Sequence, residues 1–442
     1  MQLQCNFLPQ DDGHCGWYET LPPPPPSTPL RGAVQADWVV LGAGLTGLAA
    51  ARRLAELQPQ ARVVLIEAKR VGFGAAGRNS GFMVDLPHDL NSHSYTSSHE
   101  ADHKIIRLSR GAIDYTREIV KRHGIDCDWR EQGKLHGAAN ARGAHALESF
   151  AKGLSSLGEP YRLLSAQEMK AVTGSDFYQA GLHAPGCVLV QPAALTRGLG
   201  RTLPENVQLF EESPVLNIEV GKPHTLTTAH GRVQTPRLIL ANNAYASNFG
   251  ELGLKGRLLP IYTYASMTRQ LSAEELARLG GEESWGLIPA DPLGTTVRRL
   301  ASGRICIRNS FTYNPDVHAS AGTLERVKRA HRRSYENRFP MLPGIEFEYT
   351  WGGALCLSRN SGSQFGEIAP NVFSAVCCNG LGLTRGTISG KLIAEYALGM
   401  DSDLLSIMLE QPKPCRNPPE PFLGIGVRSS LAWKEWTAGV EL

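Results

Sequence analysis

Residues 36–57 read ADWVVLGAGLTGLAAARRLAEL, an apolar run, a glycine turn and an alanine-rich stretch of helical character. The β-branched run 62–67, RVVLIE, follows. Strand, glycine turn, helix and strand form the βαβ unit of a parallel sheet. Gly42-Ala43-Gly44-Leu45-Thr46-Gly47 makes the turn. Gly42 permits the tight bend, Gly44 lets the backbone approach a pyrophosphate, and Gly47 lets helix close on strand. The free N–H groups of the helix N-terminus face the phosphate charge. Glu67 lies twenty residues beyond Gly47, at the end of the second strand, where a carboxylate can take ribose hydroxyls. The unit predicts a bound dinucleotide; the competing reading is a glycine turn that serves packing alone.

Around this unit, the 442 residues have room for two domains or for one large α/β unit with insertions. A chain 42% hydrophobic and 20% charged, with 46 glycines, is globular, and the composition excludes disorder or coiled coil for its bulk. Forty-five Lys and Arg against 42 Asp and Glu leave +3, too little to mark a nucleic-acid binder. The nine cysteines form no C-x-x-C pair, and the first residues lack a basic start and an apolar core. Secretion and a disulfide framework are therefore not expected, and the chain reads as cytoplasmic. No run is apolar over the ~18 residues of a membrane span, a test that leaves peripheral association open.

Residues 1–33 read as a polar leader stiffened by the prolines 22–26 and anchored by Trp17 and Tyr18. Apolar spacing predicts a helix over 98–123, stopped by Gly124. Further helices are expected near 165–173, 272–279 and 390–398, and strands at 207–210, 237–241, 304–307 and 371–380. Residues 323–339 read as a basic, solvated surface helix.

Which dinucleotide binds is decided after Glu67. The small-residue loop 71–82, VGFGAAGRNSGF, carries Arg78, Asn79 and Ser80, donors able to hold further pyrophosphate or a flavin edge. Near the end, Cys378-Asn379-Gly380-Leu381-Gly382-Leu383-Thr384 again sets glycines between strand and helix. A helix N-terminus there would stabilise the negative charge of a reduced flavin. His99-Glu100-Ala101-Asp102-His103 is a literal H-E-x-x-H, but Ser97 or Ser98 reads as the helix cap. That puts the histidines in an exposed first turn with no third ligand at a recognised spacing, so no metal is assigned. Cys377-Cys378 reads as a buried strand pair, since adjacent cysteines make only a strained disulfide.

Taken together, the 42–47 turn, Glu67, the R78-N79-S80-G81 loop and the closing glycines resemble the FAD-dependent amine and amino-acid oxidoreductases of the D-amino-acid oxidase and glycine oxidase superfamily. The similarity takes in Pro192 with Leu195, ANNAY at 241–245 and Trp351-Gly352-Gly353. The leader WYETLPPPP, the loop GRNSGF and the segment TWGG are similar to the branch of γ-glutamylputrescine oxidase and bacterial L-pipecolate oxidase. Asp85-Leu86-Pro87-His88 points to the pipecolate-oxidising, lysine-catabolic side.

The resemblance implies an α/β fold in which a Rossmann-like FAD domain (34–95, 185–250 and 345–415) interleaves with a substrate domain (96–184 and 251–344) on a mostly antiparallel sheet, before a C-terminal tail (416–442). Gly42, Gly44, Leu45, Thr46, Gly47, Glu67 and Ala68 would carry the ADP half, with Val215 at the adenine. Gly74, Ala75, Arg78, Asn79 and Ser80 would hold pyrophosphate and flavin. Ala241 joins the cofactor set, and Gly353 with Gly380, Leu381, Gly382, Leu383 and Thr384 would line the isoalloxazine. Gly353 stands where relatives with covalent flavin carry cysteine, and Cys356 is three residues displaced, so FAD is expected to be noncovalent. Arg308 is the candidate for a substrate carboxylate, which needs a fixed bidentate cation. Arg359 and Arg385 are its rivals, and Tyr313 and Tyr264 are further pocket candidates. The expected partners are a small amino acid or amine and an electron acceptor, oxygen or a respiratory quinone.

Overall fold

A computed structural model describes residues 2–10, 13–88, 95–249 and 254–442. The ends of the leader and domain spans at residues 1, 11–12, 89–94 and 250–253 lie outside the described residues. One sheet has six strands in the spatial order Val207–Phe210, Val63–Ile66, Trp38–Leu41, Leu238–Leu240, Val372–Val376 and Gln364–Ala369. The first five run parallel, and only the last pair is antiparallel. Both faces are covered, as parallel strands require. Trp38, Val40, Val63 and Leu65 meet the helices Leu45–Leu57, His99–His123 and Thr387–Ala397, while Val39, Leu41, Val64 and Ile66 meet a small sheet through Ile218, Leu226 and Val233.

The second large sheet has eight strands, ordered Phe347–Leu357, Leu259–Thr268, Ile305–Tyr313, Thr296–Arg299, Trp285–Pro289, Lys134–Ala138, Ala180–Ala184 and Arg162–Ser165. All its pairs are antiparallel except Trp285–Pro289 with Lys134–Ala138. The chain crosses between the two large sheets several times, which sets the cavity walls on segments distant in sequence. The expected α/β fold class holds.

Two segments, 416–442 and the helix near 323–339, differ from their sequence reading, while the leader is held at Trp17 and Tyr18. Residues 416–442 are not a tail: Phe422–Ala438 is a helix docked on the eight-stranded sheet, where Leu423, Val427 and Leu431 pack with Ile261, Phe311 and Tyr313. The helix Ala321–Arg338 buries Val327, His331, Ser334, Tyr335 and Arg338, so it is half embedded rather than solvated all round. The leader is tied down: Gln2–Gln4 is an edge strand, Trp17 is buried against Trp351, and Arg197 donates to the Pro22 carbonyl at 2.8 Å. Of the two cap candidates Ser97 and Ser98 the structure uses Ser98, the stop at Gly124 holds, and the helices expected near 165–173 and 272–279 form as Ala166–Thr173 and Ala273–Leu279.

Candidate active site

Three cavities join end to end where the two large sheets face each other. The first, at the C-terminal ends of the parallel strands, is walled by Gly42–Thr46, Glu67, Ala68, Gly74, Ala75, Val215, Ala241 and Gly353. The second, an inner chamber, shares Ala75, Arg78, Asn79, Gly353, Gly380 and Gly382 with the first and is closed on its other side by Tyr95, Tyr264, Ile288 and Arg308. The third, a vestibule of about 610 Å³, meets the chamber at His88 and Leu381.

The first wall is built as its glycines predict. Gly42 has φ +100°, and a Cβ on Gly47 would stand 1.7 Å from the Gly42 carbonyl oxygen. Gly44 caps the helix without a side chain, and a Cβ there would meet nothing nearer than the Ala76 Cβ at 3.8 Å; it would fill cavity, not core. Glu67 fixes the turn, Oε2 accepting from the Ala43 N–H at 2.8 Å and Oε1 from the Lys69 N–H at 3.0 Å. Burial pushes its carboxyl upward while those bonds pull it back down.

Gly72-Phe73-Gly74-Ala75-Ala76-Gly77 forms a second G-x-G-x-x-G turn that the reading of donors in this loop passed over. Gly72 has φ +85°, a Cβ on Gly77 would lie 2.0 Å from the Gly72 oxygen, and a Cβ on Gly74 would meet nothing within 4 Å. The signal was the spacing itself, hidden because the helix it opens, Ala75–Arg78, has only four residues.

The side-chain donors expected to face the cofactor are spent on the loop. Arg78 donates to the carbonyls of Phe73 (2.7 Å), Gly13 (3.1 Å) and Gly352 (3.2 Å). Asn79 donates to Ala76 at 2.7 Å and accepts from the Gly81 N–H at 2.9 Å. Ser80 and Gly81 offer their carbonyls to Arg298, a fully buried guanidinium that sequence reasoning missed. Both Arg78 and Asn79 still line the cavity, but as braces. Ser80 borders the chamber.

The closing loop turns sharply, with Cys377, Asn379 and Gly380 at φ +69°, +51° and +84°. Leu381, Gly382 and Leu383 border the chamber; Thr384 is buried, its hydroxyl without a hydrogen-bond partner among the described residues. The helix that follows seats on the first helix so closely that a Cβ on Gly390 would come within 2.0 Å of the Thr46 oxygen. The two ends of the chain thereby share one cradle. Bare backbone at Gly44, Gly74, Gly353 and Gly380 and the buried Asn242 Oδ1 on the same wall, without a hydrogen-bond partner among the described residues, suit a long dinucleotide.

Residues 37–396 match the family model DAO, FAD dependent oxidoreductase. The chain belongs to this family. The resemblance drawn from its motifs to FAD-dependent amine and amino-acid oxidoreductases is borne out, and its cofactor is FAD. It is 30% identical to gamma-glutamylputrescine oxidoreductase of Escherichia coli (strain K12) over 380 residues, 85% of this chain and 86% of that protein. It is 27% identical over 386 residues to a probable oxidoreductase, OrdL, of Haemophilus influenzae, covering 86% of each. Glycine oxidase from Geobacillus kaustophilus has the same fold, with a TM-score of 0.70 at 20% identity over 87% of this chain and all of that one.

On the substrate side, Arg308 enters the chamber from the strand Ile305–Tyr313, its guanidinium 4.8 Å from the Phe311 ring centre. Among the described residues it has no hydrogen bond and no ion pair. Burial lowers its pKa to about 10, which leaves it cationic at neutral pH. Tyr264 also lines the chamber, its hydroxyl 2.6 Å from Thr312 Oγ1. Tyr95 stacks on His88 at 4.7 Å, and burial holds the His88 imidazole neutral.

Two catalytic candidates lie elsewhere. Tyr313 is under the C-terminal helix, donating to Glu420 at 2.7 Å, because that helix covers the end of its strand. Arg359 borders the vestibule and donates to the Arg416 carbonyl at 3.1 Å; Arg385 borders the vestibule too. In the H-E-x-x-H segment Glu100 pairs with Lys104, and Asp102 accepts from Ser97. His99 and His103 meet edge to face at 4.4 Å. Cys377 and Cys378 are both free thiols. Among the described residues no helix is long and apolar enough to cross a membrane.

Proposed function

We propose that this chain oxidises the C–N bond of an amino acid whose carboxylate is held by Arg308 in the inner chamber. The observation that carries the reading is a half-buried guanidinium, without a hydrogen bond or ion pair among the described residues, beside the glycine-lined cavity. Such a cation favours a carboxylate in bidentate geometry and fixes the neighbouring α-carbon and nitrogen. FAD, when bound, supplies the two-electron acceptor for the hydride leaving that carbon. Tyr264, Tyr95 and Ile288 wall off water, and the neutral His88 adds no charge beside the amine. The chain's part is orientation and exclusion of solvent.

FAD would be held by the two glycine turns with Glu67, Ala68 and Val215, by Ala241 and Gly353, and by the closing loop, within the discontinuous domain 34–95, 185–250 and 345–415. The attachment is noncovalent: the Cys356 thiol borders the cavity, but its bond with Cys377 and its burial keep it protonated. The nine cysteines form no disulfide among the described residues, which suits a reducing cytoplasm. The first-choice substrate is a cyclic secondary amino acid such as L-pipecolate, with oxygen or a quinone as the final acceptor. A γ-glutamyl amine is the second reading, favoured by the 30% identical relative.

Anaerobic bleaching of the flavin absorbance, tried with pipecolate, proline, sarcosine, D-amino acids and γ-glutamylputrescine, tests the substrate. Bleaching by γ-glutamylputrescine alone eliminates the first choice. Arg308→Ala should raise KM for a carboxylate substrate at least tenfold, and an unchanged KM refutes the arginine's role.

A further inference from the structure

The chamber accounts for one end of a substrate, while the larger vestibule beyond His88 and Leu381 is left without a task. Its charged lining is one-sided: among the described residues Arg359, Arg385 and Lys434 face it, against a single carboxylate, Asp102. Both oxygens of Asp102 are taken up by Ser97, whose N–H donates at 2.9 Å and whose hydroxyl donates at 2.8 Å. Arg385 is half-buried, has no ion pair among the described residues, and makes one long side-chain contact, 3.5 Å to Gln411 Oε1. The rest of the wall joins uncharged polar groups, Asn360, Asn379 and Gln411 among them, to an apolar side built by Leu259, Ile261 and Phe311 of the sheet and by Leu423, Val427 and Leu431 of the C-terminal helix. Cations set in low-dielectric walls focus their field into the cavity and gather anions there.

We infer that the vestibule is a second anion subsite, centred on Arg385, for a carboxylate of the substrate remote from its reacting nitrogen. The inference rests on the reading of the chamber as the place of C–N oxidation. Leu381 borders both spaces, and Arg385, four residues on in the helical turn Gly382–Gly386, lines the vestibule alone. The substrate class is the second reading above, a γ-glutamyl amine, in which a largely methylene chain with one amide separates the reacting amine from a distant carboxylate. The amine passes His88 into the chamber, the chain lies on the leucine and valine wall, and the carboxylate stays at Arg385.

The test compares a γ-glutamyl diamine with the same molecule carrying an amide in place of its carboxylate. Wild-type protein, with FAD bound, should use the acid at least tenfold better than the amide in kcat/KM. In Arg385→Met that preference should fall to within threefold of unity, and Arg385→Lys should recover part of it. Raising NaCl from 20 to 500 mM should lower wild-type kcat/KM for the acid and spare the amide. FAD content and Tm are read for each variant. If Arg385→Met fails to fold, the wild-type acid-to-amide ratio and its salt dependence still decide. A wild-type ratio near unity, or one unchanged in a folded Arg385→Met, overturns the subsite. Turnover of pipecolate with no acid preference overturns the subsite alone, whereas failure of every amine to bleach the flavin overturns the chamber reading and the subsite together.

Discussion

The turn at residues 42–47 opens a thirteen-residue helix with nine buried positions; the turn at 72–77 opens a helix of four. Their backbones agree closely. Each has a left-handed first glycine, an extended second glycine without a side-chain cap, and a third glycine pressed onto the carbonyl of the first. Their supports do not agree. The first turn stands on apolar packing, through Leu45, Leu48 and Leu54 in the sheet's core and the close seat of Gly390. Its polar lock is Glu67. The second stands on bonds to carbonyls from Arg78, Asn79 and Arg298 and on Glu211, which accepts from the Val71 N–H at 2.7 Å. Arg298 comes from the eight-stranded sheet, so the second turn couples the cofactor cavity to the substrate side, and the first does not.

Gly47→Ala should be the most damaging change in either turn. Its methyl would sit 1.7 Å from a backbone oxygen, with a long helix and a buried strand unable to move apart. A loss of at least about 3 kcal/mol is expected in urea unfolding, with loss of bound FAD. Gly77→Ala meets a similar clash, 2.0 Å, on a four-residue helix that can shift, and should cost about 1–3 kcal/mol. Equal losses would mean that the second turn is as rigidly held as the first.

Arg298→Met cuts the polar support. Three carbonyls, of Ser80, Gly81 and Val190, lose a charged donor, a loss of about 2 kcal/mol, since bonds to charged groups are the stronger ones. Thermal unfolding of the apoprotein gives the stability loss. Hydrogen exchange should show faster opening confined to residues 72–82 and their neighbours. Exchange that quickens equally at 42–47 would break the distinction.

The same contrast explains what could be read from the sequence. The first turn was legible because its signals are local: strand, glycine spacing, helix and acid lie within 32 consecutive residues. Caps such as Ser165, with Glu168 three residues on, were legible for the same reason. The second turn follows no strand directly and opens too short a helix to leave a periodic trace. Arg78 and Asn79 look like cofactor donors in sequence, and only the fold reveals the carbonyls that occupy them. Arg308 could be singled out as a cation on a strand, but its freedom from partners depends on residues from distant segments. Tyr313 lies away from the chamber for two reasons. The strand bulges at Ser310, with φ +59°, which interrupts the two-residue alternation. The helix that then covers Tyr313, Phe422–Ala438, lacks a side-chain cap and carries two glycines; its sequence gives little local sign of its docking.

The second glycine of each turn offers the finest comparison, because neither is needed for packing. A methyl on Gly44 would meet only Ala76 Cβ at 3.8 Å, and one on Gly74 would meet nothing within 4 Å. Gly44→Ala and Gly74→Ala should therefore each cost the apoprotein no more than about 1 kcal/mol, the preference for glycine over alanine at a helix N-cap. Any larger effect must come from what enters the cavity. If both turns press backbone against the dinucleotide, each variant should weaken FAD binding at least tenfold, about 1.4 kcal/mol, in titration of the apoprotein. A shift at Gly44 with none at Gly74 would confine the cofactor to the first cradle. The second turn would then serve only to hold Arg78 and Asn79 at the chamber wall.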